Sequence, residues 1–225
     1  MDGVFPLAQS VTDLPPVAVA LGSTDSEQRH IGLLHRDAES QSLLMLHLAW
    51  HHRLRNEPPP AEMSLAIGPA FPPARLIQVA ALCRKVWRAN PKGVPYAFSV
   101  PNDCFDEYTG EFLFGPTRLG LTCASFVLAI FQAAGLPLID DMSWPKECPG
   151  DREWQQRILA LLERTGASRA HIEAVRNEVG HVRFRPEEVA AAARIASHPA
   201  RFAEVNQVAQ EILVVLTHIH ESPTE

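Results

Sequence analysis

Cys123 lies near the start of the apolar segment LGLTCASFVLAIFQAAG, which is predicted to form a buried helix. The helix should run from about Thr122 to Ala134 and stop at Gly135. A thiol in the first turn of a helix faces free backbone N–H groups and the positive end of the helix dipole, so a lowered pKa is expected there. The same N–H groups can stabilise an oxyanion. Free cysteines are also among the most buried residue types, so the segment alone leaves a nucleophile and a small core residue as alternatives.

A nucleophilic thiol needs a base, and two of the ten histidines lie in settings that suit this chemistry. His30 opens the predicted strand HIGLLHR, and His47 lies among leucines in the next predicted strand, LLMLHLAW. A polar residue in an apolar strand needs a hydrogen-bond partner. Neighbouring antiparallel strands place side chains about 5 Å apart. We therefore expect His47 to hold the His30 ring in one tautomer while His30 faces Cys123, an arrangement of nucleophile, base and orienting group.

The segments RHIGLLHRDAESQSLLMLHLAW and GLTCASFVLAIFQAAG resemble the permuted branch of the NlpC-type papain-fold enzymes, which includes the relatives of lecithin:retinol acyltransferase. In that branch the strands with the histidine and a polar third residue precede the cysteine helix, and this sequence has the same order. The family pattern HxGL matches residues 30–33, the third position falls on His47, and the nucleophile falls on Cys123 with CASFV. The resemblance covers three patches between residues 30 and 135.

The resemblance implies an α+β fold with a permuted papain-like core, in which a small antiparallel sheet packs on the cysteine helix. It implies a thiol hydrolase: Cys123 attacks an amide or ester carbonyl, His30 takes the thiol proton, and His47 orients His30. Peptide-like amides, as in bacterial cell-wall peptides, are one implied substrate class, and acyl transfer is the related activity. No metal or organic cofactor is expected. A non-catalytic binding or regulatory module on the same scaffold is the alternative from another class.

Other residues compete for the same roles. His51, in HLAWHHRL, is a second candidate for the third position, on the same predicted strand face as His47. His181 follows the cysteine helix, as the unpermuted family order requires, although its flanks are charged and predicted to be helical. Cys104 lies in a loop among carboxylates, which raise the pKa of a thiol and make it a poor nucleophile. A zinc site built from His47, His51 and His52 is disfavoured, because adjacent strand residues point to opposite faces.

Composition limits the functional classes further. The chain has 225 residues, 46% of them hydrophobic, which suits a globular protein with a sizeable core. A formal charge of −6 argues against general nucleic-acid binding, which needs a basic surface. The four cysteines lack C-x-x-C spacing, so we expect a reducing compartment. With no signal-peptide pattern and no apolar run long enough for a membrane span, a cytoplasmic protein is expected unless a signal-independent machinery exports it.

The elements that must position these residues follow from hydrophobic periodicity. Strands are predicted at 16–22, 30–36, 42–54 and 94–100, and a helix at 72–90, with the proline-rich break NEPPPAE between the third strand and this helix. We predict a catalytic core over residues 1–145 and a helical subdomain over residues 146–225.

The helical subdomain is predicted to contain several amphipathic helices. One has an apolar face with Trp154, Ile158 and Leu161, and another starts at Pro186, which suits a first turn. Apolar residues in the last helix recur at steps of three and four, as in a heptad seam. This seam comprises Val205, Val208, Ile212, Val215 and Ile219. It is expected to pack on neighbouring helices, with a homodimer interface as the alternative.

Overall fold

The computed structural model describes residues 3–7, 13–23, 28–99, 102–114 and 120–221. The protein has an α+β fold, in which a six-stranded antiparallel sheet near the N-terminus precedes six α-helices within the described residues. The strands are β1 (Val4–Pro6), β2 (Val17–Ser23), β3 (Arg29–Arg36), β4 (Leu43–Trp50), β5 (Arg53–Glu57) and β6 (Met63–Ile67). Their order across the sheet is β1-β6-β2-β3-β4-β5. The helices are α1 (Pro73–Ala89), α2 (Cys123–Ala133), α3 (Asp151–Arg164), α4 (Arg169–Asn177), α5 (Pro186–Arg194) and α6 (Phe202–Glu221).

The strands confirm part of the prediction and correct part of it. β2 and β3 lie where 16–22 and 30–36 were predicted. The predicted strand 42–54 is wrong as one element, because the chain turns at His51 and His52 and returns as β5. His52 has a φ of 55°, which the tight turn requires. The short strands β1 and β6 were not predicted.

The segment 94–99 is irregular and does not join the sheet, so the strand predicted there is wrong; residue 100 lies outside the described ranges. Pro95 has no N–H to donate to a neighbouring strand. Its carbonyl instead accepts from the N–H of Leu121 at 3.0 Å, and the N–H of Ala97 donates to the carbonyl of Leu121 at 3.4 Å. The segment is therefore tied to the chain just before α2, which brings it close to the start of the cysteine helix.

Helices α1, α2 and α5 cover one face of the sheet. Phe126 and Phe131 of α2 are fully buried there, as the apolar sequence of that helix predicts. In α5, four consecutive alanines at 190–193 are fully buried, and such small side chains allow the helix to lie close to β2 and β3. One hydrophobic cluster of the described residues thus includes both the strands and the C-terminal helices.

The apolar seam of α6 packs within the chain. Val205 and Ile212 are fully buried, and Val208, Val215 and Ile219 pack against the same cluster. α6 lies mainly against α5. The predicted packing on neighbouring helices is confirmed. No helix in the described part of the chain combines the length and the apolar character that crossing a membrane requires.

Candidate active site

The sheet brings His30 and His47 into direct contact. Nε2 of His30 lies 2.7 Å from Nδ1 of His47, and the two rings meet edge to face with their centroids 4.9 Å apart. β3 and β4 are antiparallel neighbours, and two residues on the same face of such a pair lie within reach of each other. His47 is 4% exposed, so its ring depends on protein partners for hydrogen bonds.

Gly32 makes room for this contact. A Cβ atom at position 32 would lie 2.8 Å from Cβ of His47, 2.5 Å from the methyl group of Met45 and 3.0 Å from the carbonyl oxygen of Leu46. The first two distances are shorter than the contacts that real Cβ atoms make, and the third is at the tight end of the observed range. Glycine at this position therefore allows the His47 side chain to lie over β3 and reach His30.

Glu57 determines which ring nitrogens carry protons. Nε2 of His47 lies 3.3 Å from Oε1 of Glu57. A carboxylate only accepts, so this nitrogen carries the proton, and Nδ1 of a neutral His47 is left as an acceptor. Nε2 of His30 must then donate to it, which leaves Nδ1 of His30 without a proton. Glu57 and His47 together thus fix the tautomer of His30.

Cys123 occupies the first position of α2, as predicted. Thr122 is the N-cap: its hydroxyl accepts from the N–H of Ser125 at 3.1 Å, and its own N–H donates to the Ser125 hydroxyl at 2.8 Å. This capping box fixes the start of the helix. The N–H groups of Ile31 and Ala124 face the sulfur and favour its ionised form. Ile31 directly follows His30, so the thiol lies beside the strand that carries the candidate base.

Burial outweighs the helix terminus in setting the protonation of the thiol. Cys123 is 8% exposed, and burial raises the pKa of its thiol to about 11, against the effect of the backbone N–H groups and of Arg183. The lowered pKa expected from the sequence is therefore wrong for the free protein. Burial, together with the nearby His47, lowers the pKa of His30 to about 3. Burial also lowers the pKa of His47, although Glu57 opposes this shift. The free protein accordingly holds a neutral thiol and a neutral imidazole.

Cys123 and His30 line the same cleft, whose volume is about 250 Å³. Its other walls come from β3 and β4, from Tyr96, from α3 and from the segment that leads into α5. α3 contributes the apolar residues Trp154, Ile158 and Leu161, and the charged residues on the walls are Arg29, Arg183 and Glu187. The guanidinium of Arg183 lies 4.0 Å from the centre of the Trp154 ring and bonds to Asp151 at 3.3 Å.

Tyr96 also lines the cleft, and the sequence did not single it out. Its buried phenol faces the backbone N–H of Cys123, and burial raises its pKa. Two histidines hold its backbone: the Tyr96 N–H donates to Nδ1 of His51 at 3.2 Å, and its carbonyl accepts from Nε2 of His171 at 2.9 Å. A tyrosine in an irregular apolar segment carries no signal that would have identified this position.

The competing residues lie elsewhere. His51 and His52 are in the β4–β5 turn with their ring centroids 4.2 Å apart, so neither follows His47 along a strand face. His181 is exposed and follows α4, outside the residues that line the cleft. Burial raises the pKa of Cys104 to about 12. Within the described ranges, no group of three or more potential ligands is arranged to hold a metal ion.

No family model, curated protein or solved structure gives a significant match to this chain. What the cleft does must therefore be inferred from its own residues and distances.

The neutral thiol predicts a specific reactivity. In the free protein, alkylation of Cys123 by iodoacetamide should rise about tenfold per pH unit from pH 6 to 9.5 without a plateau, and stay slower than alkylation of glutathione. Peptide mass spectrometry measures the rate at this cysteine alone. His30→Ala should leave the profile unchanged, because a neutral imidazole does not stabilise the thiolate. A plateau well below pH 8.5 that disappears in His30→Ala would instead show a preformed ion pair.

Proposed function

We propose that this protein is a thiol hydrolase with a permuted papain-like core, acting on an amide or an ester. The observation that carries the proposal is the chain of contacts from Glu57 through His47 to His30. It leaves Nδ1 of His30 without a proton, and His30 lines the same cleft as Cys123 at the start of a helix. A histidine that only filled core space would not need a second buried histidine and a carboxylate to fix its tautomer.

The reaction begins with a neutral pair, so proton transfer accompanies bond formation. As the sulfur of Cys123 attacks the substrate carbonyl carbon, its proton passes to Nδ1 of His30. The charge that develops on His30 is stabilised through His47 by the carboxylate of Glu57. A substrate that fills the cleft excludes water, which strengthens these interactions.

The developing oxyanion needs donors at the start of α2. The backbone N–H of Cys123 lies there, facing the phenol of Tyr96. Both groups are preorganised, because the capping box fixes the helix terminus and two histidines hold the Tyr96 backbone. His30 then protonates the leaving amine or alcohol, and a thioester on Cys123 remains. Water resolves it in a hydrolase, and a second acceptor resolves it in an acyltransferase. The scheme uses no metal or organic cofactor.

The thioester is the intermediate to detect. We expect p-nitrophenyl acetate to acetylate wild-type protein at one site, with a burst of p-nitrophenol close to the protein concentration if deacylation is slower than acylation. Peptide mass spectrometry should place the acetyl group on Cys123. Cys123→Ala should lose both the burst and the label, while Cys148→Ala, which removes a more exposed thiol, should keep both. Labelling of other cysteines instead, or equal labelling of denatured protein, would contradict the proposal.

One observation favours a second candidate function. The thiol of Cys123 is buried and its pKa is about 11, as suits a core residue in a binding or regulatory module that keeps the scaffold without turnover. Such a module should not form a thioester with any activated ester, and Cys123→Ala should leave its ligand affinity unchanged. The acetylation experiment therefore separates the two functions.

A further inference from the structure

Glu187, at the start of α5, contributes a carboxylate to the cleft. Its side chain is only 7% exposed. Oε1 accepts from Nη1 of Arg29 at 3.2 Å, whereas Oε2 is buried and has no hydrogen-bond partner among the described residues. The neighbouring Glu188 differs, because both of its oxygens are bonded, one of them to Trp144 at 3.1 Å.

Buried polar atoms in folded proteins are nearly always paired, and an unpaired carboxylate oxygen carries a desolvation cost. The charge of Glu187 is stabilised by Arg29, by the nearby Arg183 and Arg185, and by the positive end of the α5 dipole. These contacts explain how the carboxylate is tolerated, but they leave the hydrogen-bonding capacity of Oε2 unused. In a residue that lines a cleft, such an unpaired oxygen is a candidate acceptor for a hydrogen bond from a ligand.

We propose that Oε2 of Glu187 accepts a hydrogen bond from a protonated amine of the substrate. The inference rests on the proposed function, since it assigns a substrate class to the same cleft. The other charges on the walls already have partners: Arg183 bonds to Asp151, and Arg29 bonds to Glu187 itself. The acceptor still available is thus Oε2, and an ammonium group matches it in charge and in hydrogen-bond direction.

The surroundings of this acceptor narrow the substrate further. Trp154, Ile158 and Leu161 form an apolar wall of the same cleft. A matching substrate is a peptide-like amide with an amine and an apolar side chain near the scissile bond. The amine has two possible sources, the free α-amino group of an N-terminal residue or a side-chain amine, and both present the same ammonium chemistry to Glu187.

Glu187→Gln is the informative substitution. The Arg29 guanidinium donates to Oε1, so it should hold the amide oxygen of the new glutamine at that position. The amide NH2 would then occupy the position of Oε2 and present a donor in place of an acceptor. The side-chain volume hardly changes, whereas the polarity of the site is inverted. Glu153→Gln is the matched control, because Glu153 is an exposed carboxylate on α3, next to the cleft residue Trp154.

Binding is measured by calorimetry with the full chain carrying Cys123→Ala, so that no turnover is needed. The ligands form two pairs. The first is alanyl-leucinamide with a free amino group and its N-acetyl derivative. The second is N-acetyl-lysyl-leucinamide, which has a side-chain amine, and N-acetyl-norleucyl-leucinamide, which has none. We expect an amine to bind at least about tenfold more tightly than its uncharged counterpart, as the loss of one charge-assisted hydrogen bond predicts. The ligand pair that shows the difference identifies the source of the amine. Glu187→Gln should abolish the difference, and Glu153→Gln should retain it.

Equal binding of the amines and their uncharged counterparts, or a preference that survives Glu187→Gln in a protein with an unchanged melting temperature, would overturn the inference. A preference for acidic ligands would also overturn it and would point to Arg29 and Arg183 instead. These outcomes are independent of acetylation at Cys123. Amine selectivity without a thioester would contradict the hydrolase proposal and support an amine site at Glu187. A thioester without amine selectivity would support the hydrolase proposal and contradict the amine site.

Discussion

His47→Leu is expected to lower kcat/KM for p-nitrophenyl acetate by a factor of about 10² to 10⁴, the range associated with a misoriented or wrongly protonated catalytic histidine. Leucine fills a similar space in the apolar strand but cannot accept the proton of Nε2 of His30. The ring of His30 then loses the partner that fixes its tautomer and its orientation. Steady-state kinetics measure the loss, and acetylation of Cys123 by mass spectrometry shows whether the thiol still reacts.

Two milder variants separate the tautomer effect from simple packing. In His47→Asn, the carboxamide oxygen can accept from His30, so this variant should retain more activity than His47→Leu. Glu57→Gln keeps an acceptor for Nε2 of His47 but removes the charge. Because Glu57 is 46% exposed, its charge is screened by water and the loss should be only several-fold. Equal activity of His47→Leu and wild type would contradict an orienting role for His47. If circular dichroism shows that His47→Leu is unfolded to the same extent as its activity is lost, His47 has a structural role instead.

The histidine pair was predictable from sequence, but the carboxylate behind it was not. A polar residue among leucines in a strand requires a partner, and the preceding strand offered His30. The predicted single strand over 42–54 leaves no returning strand that could place Glu57 beside His47. The turn that brings β5 back beside β4 is made by His51 and His52, and neither is a residue type that usually marks a hairpin.

The cleft walls could not be predicted because they depend on packing between distant parts of the chain. Arg29 and Glu187 are separated by 158 positions and meet only when α5 packs on β2 and β3. At the start of a helix, a glutamate is ordinarily explained by the helix dipole, so its sequence position gave no further signal. The helices themselves were predictable, since the periodicity that places Trp154, Ile158 and Leu161 on one face is local.

The pKa of the Cys123 thiol could not be predicted from the sequence for the same reason, because it depends on contacts with distant parts of the chain. The helix terminus, which favours the thiolate, is visible in the sequence as a threonine cap before an apolar run. The desolvation that opposes it depends on how closely β3 and the segment around Tyr96 approach the sulfur. In this structure the second effect is larger, so the pKa of the thiol is raised. A cysteine at the start of a helix can therefore be located from the sequence, whereas its resting protonation state cannot.

Gly32→Ala is expected to reduce both the stability and the activity of the protein. The new Cβ would be 2.8 Å from Cβ of His47 and 3.0 Å from the backbone oxygen of Leu46, so β4 or the histidine must shift. Overpacking of this kind costs about 1–3 kcal/mol of unfolding free energy. For a chain of this size, each kcal/mol lowers the melting temperature by about 2–4 °C. The displaced His47 ring should also lower kcat/KM with p-nitrophenyl acetate by about tenfold or more, as for other misplaced catalytic groups.

Gly68→Ala is the matched control, because its Cβ would be 3.7 Å from the nearest atom, in Pro15. This contact is ordinary van der Waals packing, so thermal denaturation of this variant should follow the wild type. Combining Gly32→Ala with His47→Leu tests whether the two substitutions lower the activity by the same cause. If Gly32→Ala acts by displacing His47, its effect on kcat/KM should nearly vanish in a His47→Leu background, because the contact it disturbs is already lost. Additive losses in the double variant would instead show that Gly32 affects activity by another route, such as a shift of His30 itself.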